Sequence, residues 1–245
     1  MNEGKNGQTF NAAFAIAVAL VLSSVVGAWA YTRSKNTEQT ITVTGSARRR
    51  IKSDLVVWRA TVTQTSADVS GAYSALRDRV PRVRAYLLQK GVPENEIVIS
   101  SVTSRTIQAR DENGMETGQI TGYVLSQTLE VRSADVDRVT RISREVTELI
   151  EQGILVESGA PEYHYTRLGE LKIEMLAEAA RDAKTRAEQI ASSTGSSIGP
   201  VRSARMGVMQ ITGADSNEVS DSGMNDTSSL DKDITAVVNT SFAIE

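Results

Sequence analysis

No residue between Lys5 and Arg33 carries a charge. Within that stretch, Ala12 to Ala30 is almost wholly apolar, with only Ser23, Ser24 and Gly27 as weak points. An α-helix rises ~1.5 Å per residue, so roughly 20 apolar residues cross a ~30 Å hydrocarbon layer. A helix with no polar face cannot lie on a soluble core with water on its other side. The segment therefore reads as a membrane address, in one of two forms. It is an uncleaved signal anchor over residues 10–31, or a secretory signal cut after Ala28-Trp29-Ala30, ahead of Tyr31. The apolar run exceeds the usual ~7–15-residue core of a signal peptide, which favours the anchor. Residues 1–9 are then a cytoplasmic or n-region, and 32–39 a linker. Lys5 is offset by Glu3, and Arg33 and Lys35 lie on the far side, so charge bias does not set orientation.

Composition narrows the chemistry. Of 245 residues none is Cys and one is His, at position 164. Thiolate nucleophiles, disulfides and Cys-ligated metal sites are excluded. Any catalysis would rest on carboxylates, Lys, Ser, Thr or Tyr. The net charge of −3 excludes nucleic-acid binding driven by overall charge.

Downstream, Thr40–Ser46 alternates as a strand that Gly45 ends, and Arg48, Arg49 and Arg50 follow as a solvated strand edge or a contact to anionic lipid. Leu55–Thr65 is a strand with Val56, Trp58, Ala60 and Val62 on one face. Asp68 caps a helix carrying Val69, Ala72, Tyr73, Leu76, Val80, Val83 and Leu87, and Pro81 should kink or split it. Trp58 and Tyr73 read as core. Ile97–Ile107 is the next strand. Asp111–Gly114 is a hairpin turn and Ile120–Val131 the return strand. Asp135 opens a second helix that Gly153 ends. Ile154–Tyr165 is strand-like but broken by Gly159 and Pro161. Leu168–Thr194 is a long helix with a stripe of Ala179, Ala180, Ala183 and Ala187, capped by Gly195. Val201–Met209 is a strand. Gly213–Asp233 reads as a long mobile acidic loop, dispensable for folding. Thr235–Ile244 closes the chain as a strand, paired with the opening strand or with a neighbour.

The order predicts an α+β fold: a largely antiparallel sheet with helices on one face. Its ferredoxin-like βαββαβ core is extended by the long helix and two strands.

Site motifs are sparse. His164 lies between Tyr163 and Tyr165 with no carboxylate at helical spacing, and reads as a structural or surface residue. No G-x-S-x-G, G-x-x-x-x-G-K-[ST] or G-x-G-x-x-G occurs. The acidic loop lacks the calcium-loop pattern. Glu130, Glu157 and Asp182 form no evident acid/base pair. No catalytic, cofactor-binding or metal-ligating residue is assigned, and no cofactor is expected.

From Ala180-Arg-Asp182-Ala183 through Ile190-Ala191 to Gly195 and Ile198-Gly199, the long helix resembles the signature of the SIMPL-domain family. Thr121-Gly122-Tyr123, Gly91-Val92 with Glu96-Ile97 and Ser100, and Thr42-Val43-Thr44-Gly45 resemble other stretches of it. Ser53-Asp54 stands where that family usually has Pro-Asp, and Pro81 is unusual for it. The resemblance covers residues 40–245. It implies an exported or membrane-anchored bacterial protein with a tendency to self-associate; some relatives are linked to oxidative-stress defence or surface antigenicity. It carries over no catalytic residue. The expectation is a non-enzymatic protein of the cell envelope that forms a homo-oligomer. It would cross the inner membrane once, its domain in the periplasm, or be periplasmic after cleavage. An uncharacterised carboxylate-based hydrolase or small-ligand-binding protein is the alternative.

Overall fold

The structure, a computed structural model, describes residues 17–31 and 39–245. Residues 17–31 are helical (α1), every one of them exposed. The anchor expected over 10–31 thus lies partly outside the described residues. Among those described, no helix is long and apolar enough to cross a membrane.

The chain divides into two compact units. One holds Met1–Ala47, Glu174–Gly207 and Ala236–Glu245; the other holds Arg48–Ile173 and Val208–Thr235. The elements in chain order are β1 (Thr40–Lys52), β2 (Leu55–Ser66), α2 (Val69–Gln89), β3 (Ile97–Ile99), β4 (Thr103–Arg110), β5 (Glu116–Ser133), α3 (Val136–Glu145), β6 (Val156–Ser158), β7 (Glu162–His164), α4 (Leu168–Ser193), β8 (Ile198–Met206), β9 (Gln210–Gly213), β10 (Met224–Asn225) and β11 (Asp231–Ile244).

The second unit contains the βαββαβ core. Its sheet runs β3-β5-β2-β6, with β4 also on β5 and β7 also on β2, and every pairing is antiparallel. β2 and β4 therefore run the same way with β5 between them, as a split βαβ unit requires. Val56, Trp58, Ala60 and Val62 on alternate positions of β2 pack against Leu76, Val83 and Leu87 of α2 and Val139 and Ile142 of α3, so both helices cover one face. Both helix caps form as the sequence implies. Asp68 accepts from the Gly71 amide at 2.7 Å, and Asp135 accepts from the Arg138 amide at 3.1 Å.

Three local expectations fail for physical reasons, and of the kink or split expected at Pro81 the split does not occur. Pro81 does not split α2, which runs unbroken over 21 residues. Pro81 and Arg77, whose carbonyl loses its donor, are both exposed, so water replaces that bond while Val80 and Val83 hold the helix on the sheet. Tyr73 is 50% exposed and is not core. Ile97–Ile107 is two strands: Ile99 pairs with Leu129 but Thr103 pairs with Ser126, so four steps on one side face three on the other. Ser100 makes the break, its hydroxyl accepting from the Thr128 amide at 3.1 Å. Finally, Gly45 does not end β1, which continues through the arginines to Lys52.

In the first unit, α4 lies against β1. A Cβ on Gly45 would stand 2.2 Å from the Ala179 carbonyl oxygen and 2.3 Å from the Ala183 amide nitrogen, so only glycine permits this approach. Ala179, Ala183, Ala187 and Ala191 are buried along that helix face, whereas Ala180 is exposed. Val43, Ala183, Ala187 and Phe242 form the unit's apolar cluster. β8 pairs antiparallel with the last part of β11. The closing strand is thus a central strand, with β1 on its other side.

Candidate functional site

The densest charge in the second unit lies where β1, β9 and the start of β11 meet. Arg48 and Arg50 share one face of β1 because their spacing is two. Both point at Asp233, which is 3% exposed. The Asp233 carboxylate accepts from Arg48 Nη2 at 2.6 Å, Arg50 Nε at 3.1 Å and the Asp215 amide at 3.0 Å. Arg50 Nη2 also reaches Asp215 Oδ1 at 2.5 Å. These bonds, led by that from Arg50, hold the Asp233 carboxyl well below the usual carboxylate range against the opposing effect of its own burial. Arg48 and Arg50 thus stand half exposed on an edge strand, as the solvated-edge reading expects, and in addition pair with a buried carboxylate. Of this ion cluster only the Asp233 carboxylate is buried.

Lys232, the preceding residue, is 2% exposed. Its ammonium donates to the Asp226 carbonyl oxygen and lies 3.6 Å from Asp226 Oδ2. Burial lowers the Lys232 pKa and Asp226 only partly offsets it. Burial alone would raise the Asp226 carboxyl. Hydrogen bonds from the Ser228 hydroxyl (2.6 Å), the Ser228 amide (2.8 Å) and the Ser229 amide (3.2 Å), with the charge of Lys232, outweigh it and leave Asp226 ionised to unusually low pH.

The stretch Gly213–Asp233, expected as a plain loop, therefore contains structure. β10 pairs parallel with β9, the Asp226 amide donates to the Ile211 carbonyl at 2.9 Å, and β11 begins at Asp231. Few apolar residues are needed to fix it, because its charged and hydroxyl groups satisfy one another.

His164 sits on β7 opposite Leu55. Its Nε2 is 3.7 Å from Glu162 Oε2, two residues away on the same strand face. It lines a cavity of ≈ 60 Å³ with Ile51, Tyr163, Tyr165, Asp226 and Lys232. A water occupies ~30 Å³, and small-molecule sites measure ~300–1,000 Å³. The cavity is thus on the scale of one or two waters and below the range of small-molecule sites. Two of the three carboxylates weighed in the sequence have partners within their own units. Glu130 pairs with Arg59 at 2.8 Å, and Asp182 binds the Ser46 amide and Arg186 Nε, each at 2.8 Å. Among the described residues no group of three His, Asp or Glu could hold a metal ion. Sequence reasoning missed Lys232, Asp233 and Asp226 as a cluster. The two-residue spacing of Arg48 and Arg50 puts both on one strand face but does not say which carboxylate they meet.

The fold and this cluster define an α+β protein with a ferredoxin-like core whose most perturbed groups are spent on holding the chain together. The chain belongs to the SIMPL family, described as a protein of unknown function (DUF541), whose profile matches residues 41–242. No curated protein matches it. One solved structure it resembles weakly is described as "a putative aminohydrolase from methicillin resistant Staphylococcus aureus". Identity is 14% and the TM-score 0.24, over 60% of this chain and 39% of that one. At that score the likeness carries no argument, and the chain spans well under half the length of that structure.

Proposed function

We propose that this SIMPL protein is a non-enzymatic component of the bacterial cell envelope. Residues 10–31 anchor it in the inner membrane, the domain over 40–245 stands in the periplasm, and copies of it self-associate in stress defence. The observation that supports assembly is the β4–β5 hairpin. Within the second unit β4 has β5 as its sole strand neighbour, and nearly every residue from Thr103 to Thr121 is exposed. Ile107, Ile120 and Met115, the last 64% exposed, lie uncovered on it. A two-stranded ribbon is marginal in water by itself, and apolar groups on one favour a covering partner. The non-enzymatic reading is supported by the size of the His164 cavity and by the internal pairing of Asp226, Lys232 and Asp233.

Sedimentation velocity of the detergent-solubilised full chain at micromolar concentration tests assembly. A species larger than a monomer is expected, dissociating in an Ile120→Lys variant that remains folded. A monomer across the whole range overturns assembly. In cells, His164→Ala should fully complement any peroxide sensitivity of a deletion strain; loss of complementation with a folded, assembled protein favours an enzyme.

A further inference from the structure

The first unit holds an open groove of ≈ 580 Å³ between the edge of β1 and the flank of α4. Thr42, Val43 and Thr44 form one side, and Thr185, Arg186, Gln189 and Ile190 the other. β1 is the terminal strand of its sheet order. The direction of its backbone groups follows from two bonds. Gln39 offers its carbonyl to the Ile244 amide of the neighbouring strand region at 3.2 Å, so odd-numbered residues pair inward. The Ser46 amide instead donates outward, to Asp182 on α4 at 2.8 Å. Backbone N–H and C=O alternate edges along a strand. Thr42 and Thr44 therefore present both groups to the groove, and Asp182 closes the row at Ser46.

An open edge beside a helix is the geometry in which an extended segment adds as a further strand. The size of the groove decides what kind of segment. Seven residues line it, whereas a stable interface between folded copies takes ~20–30 residues a side. The charge decides its chemistry. Arg186 spends Nε on Asp182 at 2.8 Å and is half-exposed, and its two terminal nitrogens meet no partner among the described residues. A guanidinium with free terminal nitrogens beside an apolar floor of Val43 and Ile190 fits a carboxylate next to an apolar side chain.

We propose that this groove captures a short extended peptide by strand addition to β1, with an apolar residue over Val43 and Ile190 and a carboxylate on Arg186. This surface is separate from the hairpin proposed for self-association.

The test uses the full chain in detergent and a fluorescein-labelled peptide, Val-Thr-Val-Asp with a free C-terminus, read by fluorescence anisotropy. Saturable micromolar binding is expected. Methylating the peptide's alternate amide nitrogens should weaken it at least ~10-fold, because each removes a strand hydrogen bond. Arg186→Gln should weaken the acidic peptide ~10-fold and leave an amidated Val-Thr-Val-Asn peptide unchanged. Ile190→Asp covers the case in which Arg186→Gln perturbs folding, and should abolish binding of both peptides with the melting temperature unchanged. No saturation by 1 mM, or equal binding of the methylated peptide, overturns the proposal. So does loss of self-association in Ile190→Asp, which would make a second copy the occupant.

Discussion

Asp233→Asn is the sharpest perturbation available. The carboxylate is almost fully buried and accepts four hydrogen bonds, three of them from the two guanidinium groups. Bonds to charged groups contribute about 1.5–3 kcal/mol each. Both arginine side chains are about half exposed, so they regain water when the charge is removed, and most of their share is discounted. The amide also turns one donor toward two guanidinium groups that need acceptors. The net loss is about 2–4 kcal/mol. At roughly 2–4 °C per kcal/mol for a chain of this size, melting should fall by about 5–15 °C at pH 7. The pH dependence has a fixed sign. The folded-state pKa is lowered, so the stabilisation is full above the unfolded value of ~3.9 and is lost as pH falls toward the folded value. Thermal unfolding by circular dichroism at pH 7, 5, 4 and 3 measures both effects. The gap between wild type and variant should be constant from pH 7 to 5 and narrow below pH 4. An unchanged melting temperature at pH 7, or a gap as wide at pH 3 as at pH 7, refutes the assignment of Asp233 as the charged centre of the cluster.

Gly45→Ala should destabilise by more than about 3 kcal/mol, because its Cβ would meet backbone atoms of α4 that no rotamer can move; Ala180→Leu, on the exposed face, should stay within ~0.5 kcal/mol in the same urea titration. Lys232→Met leaves the part-buried Asp226 carboxylate without its cation and should cost about 3–5 kcal/mol by urea titration, while Lys232→Glu beside Asp226 should prevent folding, read by limited proteolysis. Deleting residues 216–219 should shift melting by less than ~3 °C, since loop-closure entropy varies slowly with length; deleting 226–229 removes the acceptor of Lys232 and should cost more than ~8 °C.

Most of the core was legible because period and punctuation agreed there. Alternate apolar residues in β2, the aspartate caps at 68 and 135, and the positive-φ glycines at 91, 114, 153 and 195 each fixed an element locally. Pro81 misled because the burial of Val80 and Val83 on the sheet outweighs the local cost of the missing donor and the ring clash. Ile97–Ile107 misled because a hydroxyl at Ser100 intercepts the ladder, which periodicity does not register. The segment Gly213–Asp233 was read in part: most of it lies outside strands, but β10 and the start of β11 fall within it. Its composition is that of a solvated loop, and composition counts charges without pairing them. Asp233 finds its partners 183 and 185 residues earlier in the chain, and Lys232 meets Asp226, whose amide is tied to the Ile211 carbonyl of β9. A polar segment of this kind is held by satisfied charges, and although Lys232 and Asp226 are only six residues apart, no window of sequence holds Asp233 together with its arginines. The same limit applies to the groove on β1: its wall comes from residues about 140 positions away, so the open amides of Thr42 and Thr44 become a feature only once α4 is in place.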